Sequence, residues 1–451
     1  MTSKIASFVN KTVSGRDNMI KLLVIVVDLL LVILSYLIAF YVRFAGEPPE
    51  FNLTPFVQAL PLVALAFLLY VDVFGLSKFY RKSRRSVFAS ILKLVFMQAL
   101  TTTSITYFLQ GFSFPRSVLL YAPLFQAALL TLWNWLMLAL RDHCAAATYA
   151  MLIGGQKAAA AVMEKLSRTE IRRKMNVEYV FPPEAKAGFM RCLRNRRVDE
   201  VILCAELSED LKMEILLLCM NLRKVVYLVP EVFEIALLNT RIVHLDDMPL
   251  LMLDRLSLSF EQRLFKRVFD LLVSLVALPL LLPFLLAAAL AVKLSSPGKV
   301  FYSQDRVTAG GRVYRIYKFR TMYEGAEAAT GPTLSSAQDA RVTGAGRFLR
   351  RYRIDELPQL LNVLKGDMSL VGPRSERPFF VERYSRDIEG YDIRNNVKAG
   401  LTGYAQVFGN YDTSPEYKLK YDVLYIKNYS LLLDIKLILQ TFNAILKKGS
   451  S

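Results

Sequence analysis

The chain has 451 residues, 54% of them hydrophobic, and a formal net charge of +18. A mean hydropathy of +0.32 is high for a soluble protein, and the length predicts about three domains. Such a charge suits nucleic acid, anionic lipid or an anionic substrate. No zinc finger, RNP motif or basic zipper occurs, so nucleic acid is set aside as a partner and lipid or substrate is favoured.

The hydrophobic excess lies first at the N-terminus, in apolar runs at 19–42, 55–74, 87–109 and 117–140. Each approaches or exceeds the roughly 20 residues that cross a hydrocarbon core. The first is too long for a cleaved signal peptide and lacks a small-residue cleavage pattern. Lys4, Lys11, Arg16 and Lys21 precede it, and Lys78, Arg81, Lys82, Arg84 and Arg85 fill the second loop. The first and third loops carry only Arg43 and Arg116 as bases. Under the positive-inside rule, the N-terminus and everything after residue 140 face the cytoplasm. A multi-pass protein of the inner (cytoplasmic) membrane is expected. Asp28, inside the first span, is expected to have a structural role, pairing with a neighbouring helix or reaching the inner interface, because no second deep charge suggests a proton relay.

From 146 to about 254, short apolar strands (149–153, 201–204, 225–229) alternate with helical runs, the rhythm of a doubly wound parallel sheet. Gly154-Gly155 invites a dinucleotide reading. However, Gln156 stands where the second glycine of that fingerprint belongs, and a degenerate Rossmann-like module follows. Cys144, Cys192, Cys204 and Cys219 have no metal or redox spacing, and His143 and His244 sit in no motif. Acid–base work therefore falls to carboxylates, lysine or tyrosine.

A further apolar run, 271–292, has Lys266 and Arg267 before it, Lys293 and Lys299 after it, and Pro279 and Pro283 within. Basic flanks and prolines predict a re-entrant helix over 266–293, which dips into one leaflet, kinks at Pro283 and returns. Next, two β-rich runs flank Gly310-Gly311 as a hairpin that delivers Lys318 and Arg320. Residues 323–346 read as a loop able to close over a substrate. Arg347, Arg350, Arg351 and Arg353 lead to the adjacent carboxylates Asp355 and Glu356, and a turn at Gly372, Pro373 and Arg374 follows. A carboxylate is a possible nucleophile and a hard ligand for Mg²⁺, and arginine forks suit phosphate oxygens. Together they suggest chemistry on a phosphate. Tyr404 and Gln406, among glycine turns at 398–413, suit nucleotide contacts. Residues 421–448 read as amphipathic helix near a basic membrane surface.

The stretches KRVFD, SPGKVFYSQDRV, YKFRTM, RIDELPQLLNVLKGDMSLVGPR, GLTGYAQV and YDVLYIKNYSLLLDIK occur in order. With them the chain resembles the bacterial sugar transferases, polyprenyl-phosphate hexose-1-phosphate transferases that begin capsule and exopolysaccharide units. The resemblance implies four transmembrane helices over 1–145, the Rossmann-like α/β module over 146–258, and a mixed α/β catalytic domain with the re-entrant helix over 259–451. It implies UDP-sugar, undecaprenyl phosphate and membrane lipid as partners, with a homo-oligomer left open. Asp355 matches the family's nucleophile, which attacks the β-phosphate of the UDP-sugar to leave a phosphosugar-aspartyl intermediate. Glu356 matches its partner carboxylate at the Mg²⁺ site, and Lys318, Arg320 and Arg374 match the basic positions. Two departures stand out. Ser375 replaces the second proline of Gly-Pro-Arg-Pro, and Leu282, not serine, precedes Pro283. The alternatives are a non-catalytic membrane assembly or regulatory protein that keeps the fold, and a membrane oxidoreductase using the glycine loop. The sugar is not named by the sequence; glucose or galactose is the family-level expectation.

Overall fold

The computed structural model describes residues 2–108, 114–144, 148–168, 175–194, 198–204, 207–246, 248–253, 255–325, 339, 341–409 and 413–449. The chain divides into two compact units, Met1–Val229 and Pro230–Ser451.

The first unit opens with helices α1 (Thr2–Arg43), α2 (Glu50–Val73), α3 (Arg84–Phe108) and α4 (Arg116–Cys144). Each contains a stretch long and apolar enough to cross a membrane. Their burial differs from that of a soluble bundle, although Val32, Phe40, Phe67 and Leu94 are buried between the helices. Leu22, Leu30, Leu65 and Leu124 are exposed, whereas Asp28, Gln98, Gln126 and Asn134 are buried. That is the pattern of helices solvated by lipid, where polar side chains serve as contacts between helices. Of the two structural roles open to Asp28, the structure has the helix partner: Asn134 Nδ2 on α4 donates to its Oδ1 at 2.9 Å.

Strands β1 (Thr148–Ile153), β2 (Met175–Phe181), β3 (Glu200–Leu203) and β4 (Val225–Leu228) form a parallel sheet in the order β2–β1–β3–β4. Helices α5 (Gln156–Arg168), α6 (Lys186–Arg194) and α7 (Glu209–Asn221) connect them. Alternation along the strands sends Met151, Ile153, Val201 and Leu203 against Phe189, Leu193, Ile215 and Cys219. Ala150, Leu152 and Ile202 pack against Ala159 and Val162. Both faces are covered, as a parallel sheet requires. Gly154 has a packing reason: a Cβ there would sit 2.5 Å from the Cys204 side chain. Cys192, Cys204 and Cys219 are free thiols.

The second unit begins with α8 (Val232–Ala236) and the antiparallel pair β5 (Arg241–Leu245) and β6 (Met248–Met252). Val232, Ile235 and Leu256 pack on Tyr391, Leu419 and Val423, so this leading segment shares the core of the acid-pair region. Helix α9 (Phe260–Ser295) starts at a capping box between Ser259 and Gln262 and continues through Pro279 and Pro283 without ending. Between Phe269 and Leu281 it packs through Phe269, Val273, Ala277, Leu278 and Leu281 on the main core. Its last turns pack through Ala288 and Val292 on Phe319 and Leu349. Leu272, Leu275, Val276, Leu280, Phe284 and Leu290 stay exposed.

The expected hairpin is present: β7 (Phe301–Val307) pairs antiparallel with β8 (Val313–Phe319) across Gly310-Gly311. Of the loop expected over 323–346, residues 326–338 and 340 lie outside the described residues. Its last three residues begin α10 (Gly344–Arg351), capped by Thr343 Oγ1 on Gly346 N. There follow a 3₁₀ turn (Ile354–Gln359), α11 (Leu360–Lys365), β9 (Ser369–Val371), α12 (Pro378–Asp387), a second 3₁₀ turn (Tyr391–Asn396), β10 (Gly400–Thr402) and α13 (Tyr404–Phe408). The amphipathic stretch over 421–448 is not one helix. It is divided between α14 (Pro415–Lys427) and α15 (Leu431–Gly449). Leu419, Val423, Tyr425 and Ile426 make α14 a core helix, not a membrane-surface one.

Candidate active site

The acid pair owes its position to one backbone reversal. After α10, Arg353 takes φ +54°, a left-handed conformation that costs a non-glycine residue roughly 1–2 kcal/mol. The chain then turns into the 3₁₀ segment, and Asp355 and Glu356 point inward at 9% and 8% exposure.

The two carboxylates have different surroundings. Lys318 Nζ, from β8, and Arg374 Nη2, from the turn after β9, each stand 3.1 Å from Glu356 Oε1. Among the described residues, none donates a hydrogen bond to the Asp355 carboxylate. Burial alone would raise Glu356, but Lys318, Arg374 and Arg353 together hold it well below the usual carboxylate range. Burial, and then the Glu356 charge, push Asp355 up to about 6 against the pull of Lys318, Arg350 and Arg374. Glu356 is thus a fixed anion among cations. Asp355 is a more basic carboxylate with free lone pairs, which is what a nucleophile needs.

The Gly372-Pro373-Arg374 turn is set by close backbone approach. A Cβ on Gly372 would lie 2.3 Å from Lys398 O, and one on Gly400 would lie 2.1 Å from Gly372 N. Gly372 N donates to Thr402 O and Gly400 N to Pro373 O, both at 2.8 Å. Ser375 in place of proline leaves this turn fixed by side chains instead. Arg394 Nη2 donates to Arg374 O at 2.7 Å, and Arg306 Nη1 to Ser375 O at 3.1 Å. Arg394 is itself buried against Asp422 at 2.9 Å and donates to the Tyr391 hydroxyl.

Other residues singled out in the sequence lie apart from the pair. Arg320 gives its described hydrogen bonds to the Ser296 and Pro297 carbonyls and to Ser296 Oγ, tying β8 to the end of α9. Gln406 Nε2 donates to Leu401 O at 3.1 Å, and its Oε1 is buried without a partner. The Gln406 carbonyl receives Arg353 Nη2 at 3.4 Å, so this segment does meet the acid-bearing turn. At the other end of α9, Lys266 Nζ meets Asp434 Oδ2 at 2.5 Å, and Arg267 donates to Val363 O and Leu364 O. Pro283 sits inside α9, away from these anchors. Arg306 and Asp422 lie within the family-matching stretches, but the roles of Arg306, Arg394 and Asp422 in holding the turn were not read from the sequence, because Arg306 meets Ser375 and Arg394 meets Asp422 only in the folded chain.

The described residues hold no cluster of three or more metal-ligating side chains. Mg²⁺ ordinarily needs only one or two carboxylates, since substrate phosphates and water complete its shell. An undonated, buried Asp355 carboxylate next to Glu356 fits that requirement.

A family profile described as bacterial sugar transferase matches residues 261–448, inside the second unit. An Aeromonas hydrophila UDP-N-acetylgalactosamine-undecaprenyl-phosphate N-acetylgalactosaminephosphotransferase is 44% identical over 40% of this chain and 43% of its own length. The Escherichia coli (strain K12) UDP-glucose:undecaprenyl-phosphate glucose-1-phosphate transferase is 40% identical over 50% of each chain. A Caulobacter vibrioides protein with the same description is 44% identical over 40% of this chain and 69% of its own. The chain therefore spans about half the length of the first two of these relatives.

Proposed function

The chain belongs to the bacterial sugar transferase family, and on that premise we propose that it moves a hexose-1-phosphate from a UDP-sugar to undecaprenyl phosphate, releasing UMP. The unequal pair carries this reading: Glu356 is gripped by Lys318 and Arg374, while Asp355 beside it accepts no hydrogen bond among the described residues. In the first step an Asp355 oxygen attacks the β-phosphorus of the UDP-sugar. A bond from that oxygen to phosphorus forms, the bond from phosphorus to the bridging oxygen breaks, and the electron pair leaves with UMP. In the second step a phosphate oxygen of undecaprenyl phosphate attacks the same phosphorus and returns Asp355 to a carboxylate.

Lys318, Arg374 and Arg353 offset the charge that gathers as an anion approaches a polyanion. Glu356 holds Lys318 and Arg374 in place. Mg²⁺ held by Asp355 and Glu356 would neutralise the diphosphate and assist departure of UMP. Phosphosugar on the protein after UDP-sugar alone, and ping-pong initial rates, are the expected results. Intersecting double-reciprocal lines with no labelled protein would mean direct attack by the lipid.

The same reading covers placement. Both ends of α9 pack on one unit while its outer face stays apolar, which supports a helix entering and leaving one leaflet with the site at the cytoplasmic face. The β2–β1–β3–β4 parallel order supports a Rossmann-like module ahead of it.

A further inference from the structure

A second group of cations gathers where the first turns of α9 meet the end of α11. Gly366 closes α11 at φ +90°. A methyl group placed on it would lie 3.3 Å from Arg267 Nη2 and 3.7 Å from Lys398 Nζ, so these two cations stand within about 7 Å of each other. Arg312 Nη2 is 3.0 Å from Asp367 Oδ1, on the next residue along. Arg267 is committed to the carbonyls of Val363 and Leu364, at 2.5 and 2.8 Å. Lys398 is half-buried, and among the described residues its ammonium has no hydrogen bond or ion pair. Burial, followed by the Arg267 charge, draws Lys398 below its ordinary range. Arg312 adds to this, and Asp270 and Asp367 oppose it. Neither acid is idle: Asp367 holds Arg312, and Asp270 Oδ1 accepts Leu370 N at 3.1 Å.

A half-buried lysine with no direct ion pair among the described residues, crowded by two arginines and near two acids that already have partners, is short of negative charge. The same end of α9 exposes Leu264, Phe265, Val268 and Leu272. A ligand that meets both features has an anionic head and an apolar chain. We propose that Lys398, Arg267 and Arg312 form a docking site for the phosphate of an anionic phospholipid, whose chains lie along the apolar face of α9.

At its Arg312 end this site is remote from the acid pair. Arg312 precedes Lys318 by six residues, about 20 Å along an extended strand. The proposal rests on α9 lying in the membrane and not on sugar transfer. A polyprenyl phosphate shares the head-group chemistry, and the test separates it from the phospholipid.

The full chain in detergent is mixed with phosphatidylglycerol, undecaprenyl phosphate or neutral phosphatidylcholine, and retained lipid is read by native mass spectrometry. Lys398→Gln and Arg312→Gln should each lower retention of the anionic occupant about fivefold, the effect of one cation near a charged lipid surface. Lys398→Arg should retain it, and thermal unfolding reports that each variant is folded. A drop confined to phosphatidylglycerol, with UMP release unchanged, identifies a phospholipid. A drop confined to undecaprenyl phosphate would make these residues part of the acceptor's path and overturn the phospholipid assignment. Unchanged retention of both lipids in the glutamine variants overturns it. Displacement of bound lipid by millimolar inorganic phosphate, with no dependence on the chain, would reduce it to a free-anion site and overturn the lipid assignment. Failure of UDP-sugar turnover alone would leave these results untouched.

Discussion

At Asp355, function and stability pull in opposite directions. Its carboxyl is raised to about 6, above the ordinary Asp value near 3.9. Folding therefore disfavours the ionised form. The cost is absent below the unfolded value and fully present once the pH exceeds about 6. Asp355→Asn should abolish UMP release and yet stabilise the metal-free protein at pH 8 by about 1–3 kcal/mol, with no gain near pH 3.5. Chemical denaturation at the two pH values checks the sign; a destabilised variant at pH 8 would mean that the carboxylate is held by a favourable partner. As the proposed nucleophile, Asp355 must also be ionised. Covalent phosphosugar labelling should fall about tenfold for each pH unit below about 6. Labelling that is flat down to pH 4 would place the reacting group elsewhere.

At the scale of elements, the turn after β9 depends on a buried ion pair behind it. Arg394 supports Arg374 through its carbonyl while pairing with Asp422 at 2.9 Å. Asp422→Ala strands that guanidinium in the core and should cost about 3–5 kcal/mol, read by urea denaturation. Gly372→Ala should be damaging for a different reason, because its Cβ meets Lys398 O at 2.3 Å. Turnover should fall with it, since Arg374 shifts away from Glu356. Helix α9 makes the third case. Cysteines at the exposed positions Glu261 and Lys299, in a background without the native cysteines, should both resist an impermeant thiol reagent in intact cells and label after permeabilisation. Opposite accessibility would show a full crossing.

For the whole molecule, every described partner of the acid pair lies within Pro230–Ser451. A chain starting at Pro230, expressed in membranes, is expected to retain UMP release from UDP-sugar and undecaprenyl phosphate. A folded but inactive product would show that Met1–Val229 contributes to the reaction.

Much of this was legible along the chain because it rests on local pattern. Apolar runs of membrane length, the hairpin around Gly310-Gly311 and the Asp355-Glu356 pair among bases are each read within a few turns of backbone. The cap at Ser259 and the left-handed turn at Arg353 are equally local, although their geometry is visible only in the folded chain. Tertiary structure alone decided the long-range partners. Asn134 meets Asp28 across 106 residues and Asp434 meets Lys266 across 168, and no periodicity encodes such a match. It also decided which of two adjacent carboxylates is gripped and which is free, and it turned Arg320 toward the end of α9. The 421–448 stretch divided into two helices, with α14 in the core, for the same reason. An amphipathic pattern states that one face will be covered and leaves open whether lipid or protein covers it, which depends on packing between distant segments.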